Sequence, residues 1–388
     1  MRKKTDTKND IQKKALAVHK KLQGKIAITP KGAIRDMHDL SLYYTPGVGA
    51  VSSHVAKHPK DADIYTIRRN TVAVVSDGSA VLGLGNIGAL GALPVMEGKA
   101  MIFKAMADID AFPIVLDTQD TEEIIQTVKN IAPVFGGINL EDIAAPRCFE
   151  IEARLKKELK IPVMHDDQHG TAIVVLAGLI NAFKVVGKDI KKSAVTIVGA
   201  GAAGFATAML LKRYGVREVI VLDSKGAIHA KRKDVKGYKA ELAKRTNKKC
   251  IDGGVREALA VSDAVVGVSG PNLITADDIA VMHENPIVFA LANPVPEILP
   301  EEAKRGGAMV IATGRSDFPN QINNALVFPG IFRGALNAGV RDITDAMKLK
   351  AAEALALLVK KPTTEKIIPG IFDRGVVPTI ARAIAQKK

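Results

Sequence analysis

The chain has 388 residues, 47% hydrophobic and 25% charged, enough to bury more than one core, so two domains are expected. Aromatic residues make up only 4%, Trp is absent and Gly numbers 33, a usage that favours packed parallel sheets and helices over an all-β sandwich. The 55 Lys and Arg against 41 Asp and Glu leave a net charge of +14. The lysines are scattered without interleaved aromatics, which points to a solvated basic surface and no nucleic-acid partner.

The Lys-rich first 25 residues carry Asp6 and Asp10 and little Arg, and read as an exposed amphipathic helix rather than a transit peptide. Strand-like runs at Thr71–Asp77 and Ala111–Asp117, separated by a Gly-interrupted helical stretch, indicate a small α/β domain. Cys148 and Cys250 lie in unrelated segments with no CxxC spacing, as free thiols in a reducing cytoplasm do. The longest apolar run, near Ile173 to Ile180, is far short of the roughly 20 residues of a membrane span, so none is expected. From Ser193 onward, short β-branched runs alternate with helical stretches, the pattern of a parallel, doubly wound sheet. After PNQINNALVFPG (319–330) the chain turns helical again.

The pattern G-x-G-x-x-G occurs twice, at Gly83, Gly85, Gly88 and at Gly199, Gly201, Gly204. The second copy follows an apolar strand and opens an unbroken helix, and the next strand ends in Asp223, 19 residues past Gly204. That is the full dinucleotide context: a tight turn, a helix N-terminus at Ala202 and Ala203 for the pyrophosphate, and a carboxylate for the ribose. Ser224 and Lys225 follow directly, with Lys231, Arg232 and Lys233 a few residues on; one or two such cations, Lys225 first, could receive a 2′-phosphate, while Asp223 by itself favours NAD. The first copy precedes Gly91, Pro94 and Gly98, which argue against a regular cofactor helix, so it is assigned to a backbone turn at the substrate site. The expected fold class is therefore α/β: a smaller substrate and catalytic domain (1–164), a Rossmann-type domain (165–325) and a C-terminal helical segment (326–388) packing back on both.

Two acidic pairs stand out, Glu141-Asp142 and Asp166-Asp167, each at an expected element end. Adjacent carboxylates repel, and a pair held in a cleft needs a cation or a proton to persist. Hard oxygen ligands of this kind suit magnesium or manganese, although Asp166-Asp167 also reads as a helix cap. Lys99 lies in an otherwise apolar stretch, where burial lowers a lysine's pKa and makes it a usable acid or base. Tyr44 precedes Thr-Pro-Gly, as a ring packed beside a turn also would.

Taken together, YTPGVG (44–49), SDGSAVLGLGNIGALGALPVMEGK (76–99), GGINLEDI (136–143), HDDQHGTA (165–172), VGAGAAG, FALANPVPE (289–297), ATGRSDFPNQINN and FPG resemble the malic enzyme family, in its short bacterial and archaeal type. The resemblance implies oxidative decarboxylation of malate to pyruvate with NAD or NADP and magnesium or manganese, by a cytoplasmic homodimer or higher oligomer. By matching position it implies Glu141, Asp142 and Asp167 as metal ligands with Asp166 beside them, Lys99 as general base and Tyr44 as general acid. Asn293 and Asn324 match asparagines that contact substrate and nicotinamide. Where larger members carry an Arg that grips a malate carboxylate, this chain has Ser79 and Ala80. A malolactic conversion to lactate is the nearest alternative; a catalytically silent nucleotide-binding regulator is a second.

Overall fold

The computed structural model describes residues 8–81 and 83–386; Asp6, within the expected N-terminal helix, lies outside them. The N-terminal arm is helical: α1 (Lys8–Leu22), α2 (Met37–Tyr43), α3 (Gly47–Lys57) and α4 (Ala62–Tyr65). A first α/β unit follows with β1 (Thr71–Ser76), α5 (Gly88–Ala107), β2 (Asp110–Val115), α6 (Thr121–Ile131), β3 (Gly137–Leu140), α7 (Arg147–Glu158) and β4 (Val163–His165). Helix α8 (Asp166–Val185) then leads to β5 (Ala194–Val198), α9 (Ala202–Tyr214), β6 (Glu218–Asp223), β7 (Gly226–Ala227), α10 (Tyr238–Arg245) and α11 (Val255–Leu259). The second unit continues through β8 (Ala264–Gly267), α12 (Ala276–Ala280), β9 (Ile287–Ala290), α13 (Pro300–Arg305) and β10 (Val310–Thr313). Helices α14 (Phe328–Ala338), α15 (Asp345–Leu357) and α16 (Val376–Ala385) complete it.

The first sheet has the order β2-β1-β3-β4 and is parallel throughout. Its central strand β1 reads TVAVVS and is buried along its whole length, the uninterrupted apolar run of a strand covered on both faces. Pro113 falls in β2, an edge strand, where a missing ladder donor is tolerated. The second sheet has the order β10-β9-β8-β5-β6-β7, parallel except for the short β7. Strand order reverses at β5, which pairs with β6 on one side and β8 on the other. The crevice beyond the carboxyl end of β5 is where such a sheet receives a ligand.

One core joins the two sheets. Val72 and Val74 of β1 share it with Ile197 of β5 and Phe289 of β9, and α8 runs through the middle with most of its residues buried. Helix α8 is long and apolar enough to cross a membrane, but 78% of its most apolar window is buried inside the protein. It is the core helix of this fold. The C-terminal helices pack back: Phe328 and Phe332 of α14 meet Phe103 of α5 edge-on, with ring centroids 4.7 and 5.5 Å apart.

Helix α5 corrects one expectation from the sequence. It runs unbroken for 20 residues through Gly91, Pro94 and Gly98. Its buried positions Ala92, Met96, Lys99, Ala100, Phe103 and Ala107 fall on one helical face, and packing along that face outweighs the propensity penalties.

A carboxylate and lysine cluster facing the dinucleotide turn

Four carboxylates converge from two strand ends. Glu141 and Asp142 follow β3 directly, while Asp166 and Asp167 are the first two residues of α8, right after β4. Because β3 and β4 are paired in parallel, their carboxyl ends deliver both pairs to one place. The α8 N-terminus favours negative charge there. Asp142 takes a left-handed backbone, φ 54°, and its N–H donates to Asp167 Oδ2 at 2.8 Å, which fixes one acid pair against the other. Carboxylate oxygens of Glu141, Asp142 and Asp167 lie within 4.8 Å of one another. Three hard, mostly buried oxygen donors at that spacing fit a magnesium or manganese ion.

Lys99 reaches the cluster from the buried face of α5. Its Nζ lies 2.7 Å from Glu141 Oε1 and 2.7 Å from Asp166 Oδ2, and 4.3 Å from the Phe328 ring centre. Burial pulls the lysine pKa down, as the sequence suggests, but Asp166, Glu141 and Asp167 outweigh it and hold the ammonium above the usual lysine range. The expected downward shift is thus reversed, because three neighbouring acids outweigh the burial. Burial likewise raises the Glu141 and Asp166 carboxyls, whereas His165, 3.2 Å away, draws Asp167 down against its own burial. Asp166 Oδ1 is buried without a hydrogen-bond partner among the described residues. A Cβ on Gly170 would stand 1.9 Å from it, so only glycine fits one turn further along α8.

A cavity of about 250 Å³ joins this cluster to the second sheet, lined by Asp167, Gly83, Ala203, Ser269, Asn293 and Asn324 among others. Gly199 and Gly204 serve the turn itself, since a Cβ on Gly204 would lie 1.8 Å from the Gly199 carbonyl oxygen. A Cβ on Gly201 would meet nothing within 4 Å, and the α9 N-terminus has no side-chain cap. This is an open, donor-rich cradle, as a pyrophosphate requires. The first glycine copy forms a turn with Gly83, Gly85 and Gly88 all at positive φ, and its Gly83 packs against the Asn293 carbonyl.

Asp223 sits at the end of β6, as its spacing predicts, but it is fully engaged. Arg232 grips it through Oδ1 at 2.9 Å and Oδ2 at 3.3 Å, Lys239 donates at 2.7 Å, and the Lys225 N–H at 3.0 Å. Burial raises the carboxyl, but Arg232 and Lys239 bring it to about 2. The Lys225 side chain turns instead to Asp234 at 3.3 Å, and Ser224 is exposed beside it.

Three residues of the substrate-side motifs are engaged elsewhere or lie in the open. Ser79 is buried, accepts from the Ala144 N–H at 2.9 Å and donates to Asp77, so it braces the loop, while Ala80 bonds the Asp142 carbonyl through its N–H. Tyr44 caps α2 with its side chain 65% exposed, and no hydrogen bond links it to Lys99 or the acids. The sequence reading missed Glu297, fully buried, which accepts from the Ser269 and Ala292 N–H groups at 2.9 and 3.0 Å and ties together the loops after β8 and β9. A carboxylate at the end of the LANPVPE segment was its one signal.

The Gly201 cradle carries a prediction. Gly201→Val adds atoms only to open space, so thermal stability should stay within the usual range for surface changes. Affinity for the reduced dinucleotide, followed by its fluorescence, should fall by about tenfold or more. Unchanged affinity would place the pyrophosphate elsewhere.

Comparison with known proteins agrees with this geometry. Residues 23–156 match the family profile described as malic enzyme, N-terminal domain, and residues 168–388 match malic enzyme, NAD binding domain. The chain is 50% identical to the bifunctional malic/malolactic enzyme of Bacillus subtilis (strain 168), over 97% of this chain and 92% of that protein. It is 54% identical to the NAD-dependent malic enzyme of Geobacillus stearothermophilus, over 94% of this chain and 76% of that one. The crystal structure of the NAD-dependent malic enzyme of Thermotoga maritima superposes with a TM-score of 0.93 at 49% identity, covering 96% of this chain and 98% of that one. The chain belongs to the malic enzyme family.

Proposed function

We propose that this protein oxidatively decarboxylates malate to pyruvate and carbon dioxide with reduction of NAD or NADP. The observation that carries the reading is Lys99 held between Glu141 and Asp166, beside a cavity shared by Asp167 and the dinucleotide turn. Glu141, Asp142 and Asp167 would hold a divalent ion, which would supply a Lewis acid for the C2 oxygen, and the Gly199–Gly204 turn would hold NAD(P), which would supply the hydride acceptor. With such an ion bound the acids would no longer all draw on the lysine's charge, and Lys99, its amine oriented by Asp166, would take the proton from the C2 hydroxyl. Asn293 and Asn324, on the cavity wall, offer donors to a malate carboxylate in place of the family arginine. With the C2 hydride passed to the nicotinamide, the resulting 2-keto acid loses its distal carboxylate as carbon dioxide to leave an enolate, and Tyr44 donates the proton at C3 that yields pyruvate.

Tyr44 reaches this site only if the arm that carries it is docked. No described side chain of α1 to α4 is buried, and Leu16 and Met37 are about three-quarters exposed. A homodimer or larger homo-oligomer would cover these surfaces and bring Tyr44 to a Lys99 site. The free thiols Cys148, buried, and Cys250 suit the cytoplasm.

Product analysis with malate, manganese and each cofactor tests the reading. Pyruvate, carbon dioxide and reduced cofactor should form in equal amounts, whereas lactate without net cofactor reduction would establish the malolactic alternative. Lys99→Ala should lower turnover on the order of 10²-fold or more with the dinucleotide affinity retained; a small loss would remove Lys99 from the base role.

Cofactor preference follows from the pairing of Asp223. With its charge met by Arg232 and Lys239, Asp223 does not repel a 2′-phosphate as a free carboxylate would, and these two residues, not Lys225, are placed to receive one. Arg232→Ala should lower kcat/KM for NADP by about tenfold relative to NAD. An unchanged ratio, or a selective loss in Lys225→Ala, would contradict that assignment.

A further inference from the structure

A second cavity, of about 610 Å³, lies behind the site on the other side of α8. Asp167, Thr171 and Val174 of α8 face the first cavity, whereas Gln168, His169 and Ala172 face the second, about 140° round the helix. Its wall is cationic: Lys212, Arg213, Lys244, Arg245, Lys248 and Lys348 against the carboxylates of Glu241 and Asp345. Glu241 is engaged by Arg245 at 2.9 Å, and Asp345 is shared between Arg213 at 3.0 Å and Lys348 at 3.1 Å. Lys244 and Lys248 have no acid partner among the described residues. The Lys348 side chain is only 4% exposed, and its ammonium leans on His169 Nδ1 at 3.1 Å. Because Asp345 serves both Arg213 and Lys348, the wall as a whole carries more positive than negative charge. The floor is apolar, formed by Ala172, Met209 and Phe205. Cavity size, clustered cations and a flat aromatic wall fit a small anion with an organic body.

A run of polar contacts leads from this cavity to the acid cluster, its last link an ion-pair contact and not a hydrogen bond. His169 Nε2 lies 2.9 Å from Glu152 Oε2, and Glu152 Oε1 accepts from the His165 N–H at 3.0 Å. The Gln168 amide bridges Glu152 at 3.2 Å and His165 Nδ1 at 3.1 Å, and His165 Nε2 lies 3.2 Å from Asp167 Oδ2. We propose that this cavity binds a small phosphate-bearing anion, and that its occupancy is transmitted through His169, Glu152 and His165 to the metal ligand Asp167. A phosphate drawing on Lys348 relieves His169 of its cationic neighbour, and His169 in turn sets how Glu152 holds the first turn of α8. Such coupling is reciprocal, so the metal ion and the anion alter each other's affinity by the same factor.

Calorimetric titration with inorganic phosphate and with AMP, under saturating NADH so that the dinucleotide cleft is filled, tests the site. The whole chain should bind each probe at one site, and the double variant Lys244→Glu/Lys248→Glu, both exposed positions, should bind at least about tenfold more weakly. No binding of either probe, or equal affinity in the variant, overturns the site. Manganese affinity measured with and without phosphate tests the coupling. A shift in the wild type that vanishes in the double variant supports it, and phosphate binding that leaves manganese affinity unchanged overturns it.

Discussion

The ion triad of Glu141, Lys99 and Asp166 is the interaction on which the rest of this structure depends. Four carboxylates meet at two adjacent strand ends, and among the described residues Lys99 is the one lysine paired with them. Buried charges are stable only when paired and hydrogen-bonded, and one ammonium does not balance four acids. His165 beside Asp167 and the Asn139 amide on Glu141 at 2.8 Å take part of the load. The remaining negative charge is what a divalent ion would meet, so the cluster's affinity for a cation comes from its excess of acids over bases.

The fold is arranged to hold this cluster against a dinucleotide. The first sheet brings the acids together through β3 and β4, and the second opens its crevice where strand order reverses at β5. Helix α8 links them: it begins with two of the acids and then runs through the core common to both sheets. Two of the four acids are thereby placed by a helix anchored in the core rather than by a surface loop. Gly170 and Gly178 let neighbours close on that helix, since a Cβ at 178 would meet the Phe289 ring at 2.9 Å.

Much of this was legible in the sequence because its signals are local. The Gly199–Gly204 turn, its strand and Asp223 lie within one βαβ unit, and the acid pairs follow short apolar runs. What escaped was set by partners distant in the chain. The ammonium of Lys99 is raised rather than lowered because Asp166, 67 residues away, and Glu141 face it. Pro94 does not break α5 because the helix packs along a full buried face. Ser79 is consumed by Asp77 and Ala144, and the charge of Asp223 is met by Arg232 and Lys239, contacts that no periodicity encodes. Tyr44 is named by its motif, yet it stands exposed on an arm whose described side chains are not buried.

Manganese binding, followed by the paramagnetic resonance of the free ion, tests the assignment of the cluster most directly. Wild type should bind one ion per chain. Asp167→Asn should weaken that binding by about tenfold or more, while Asp166→Asn, which touches Lys99 and not the three clustered oxygens, should keep it and lose turnover. Equal manganese affinity in all three proteins would contradict the division of the four acids into an ion-holding set and a lysine-holding partner.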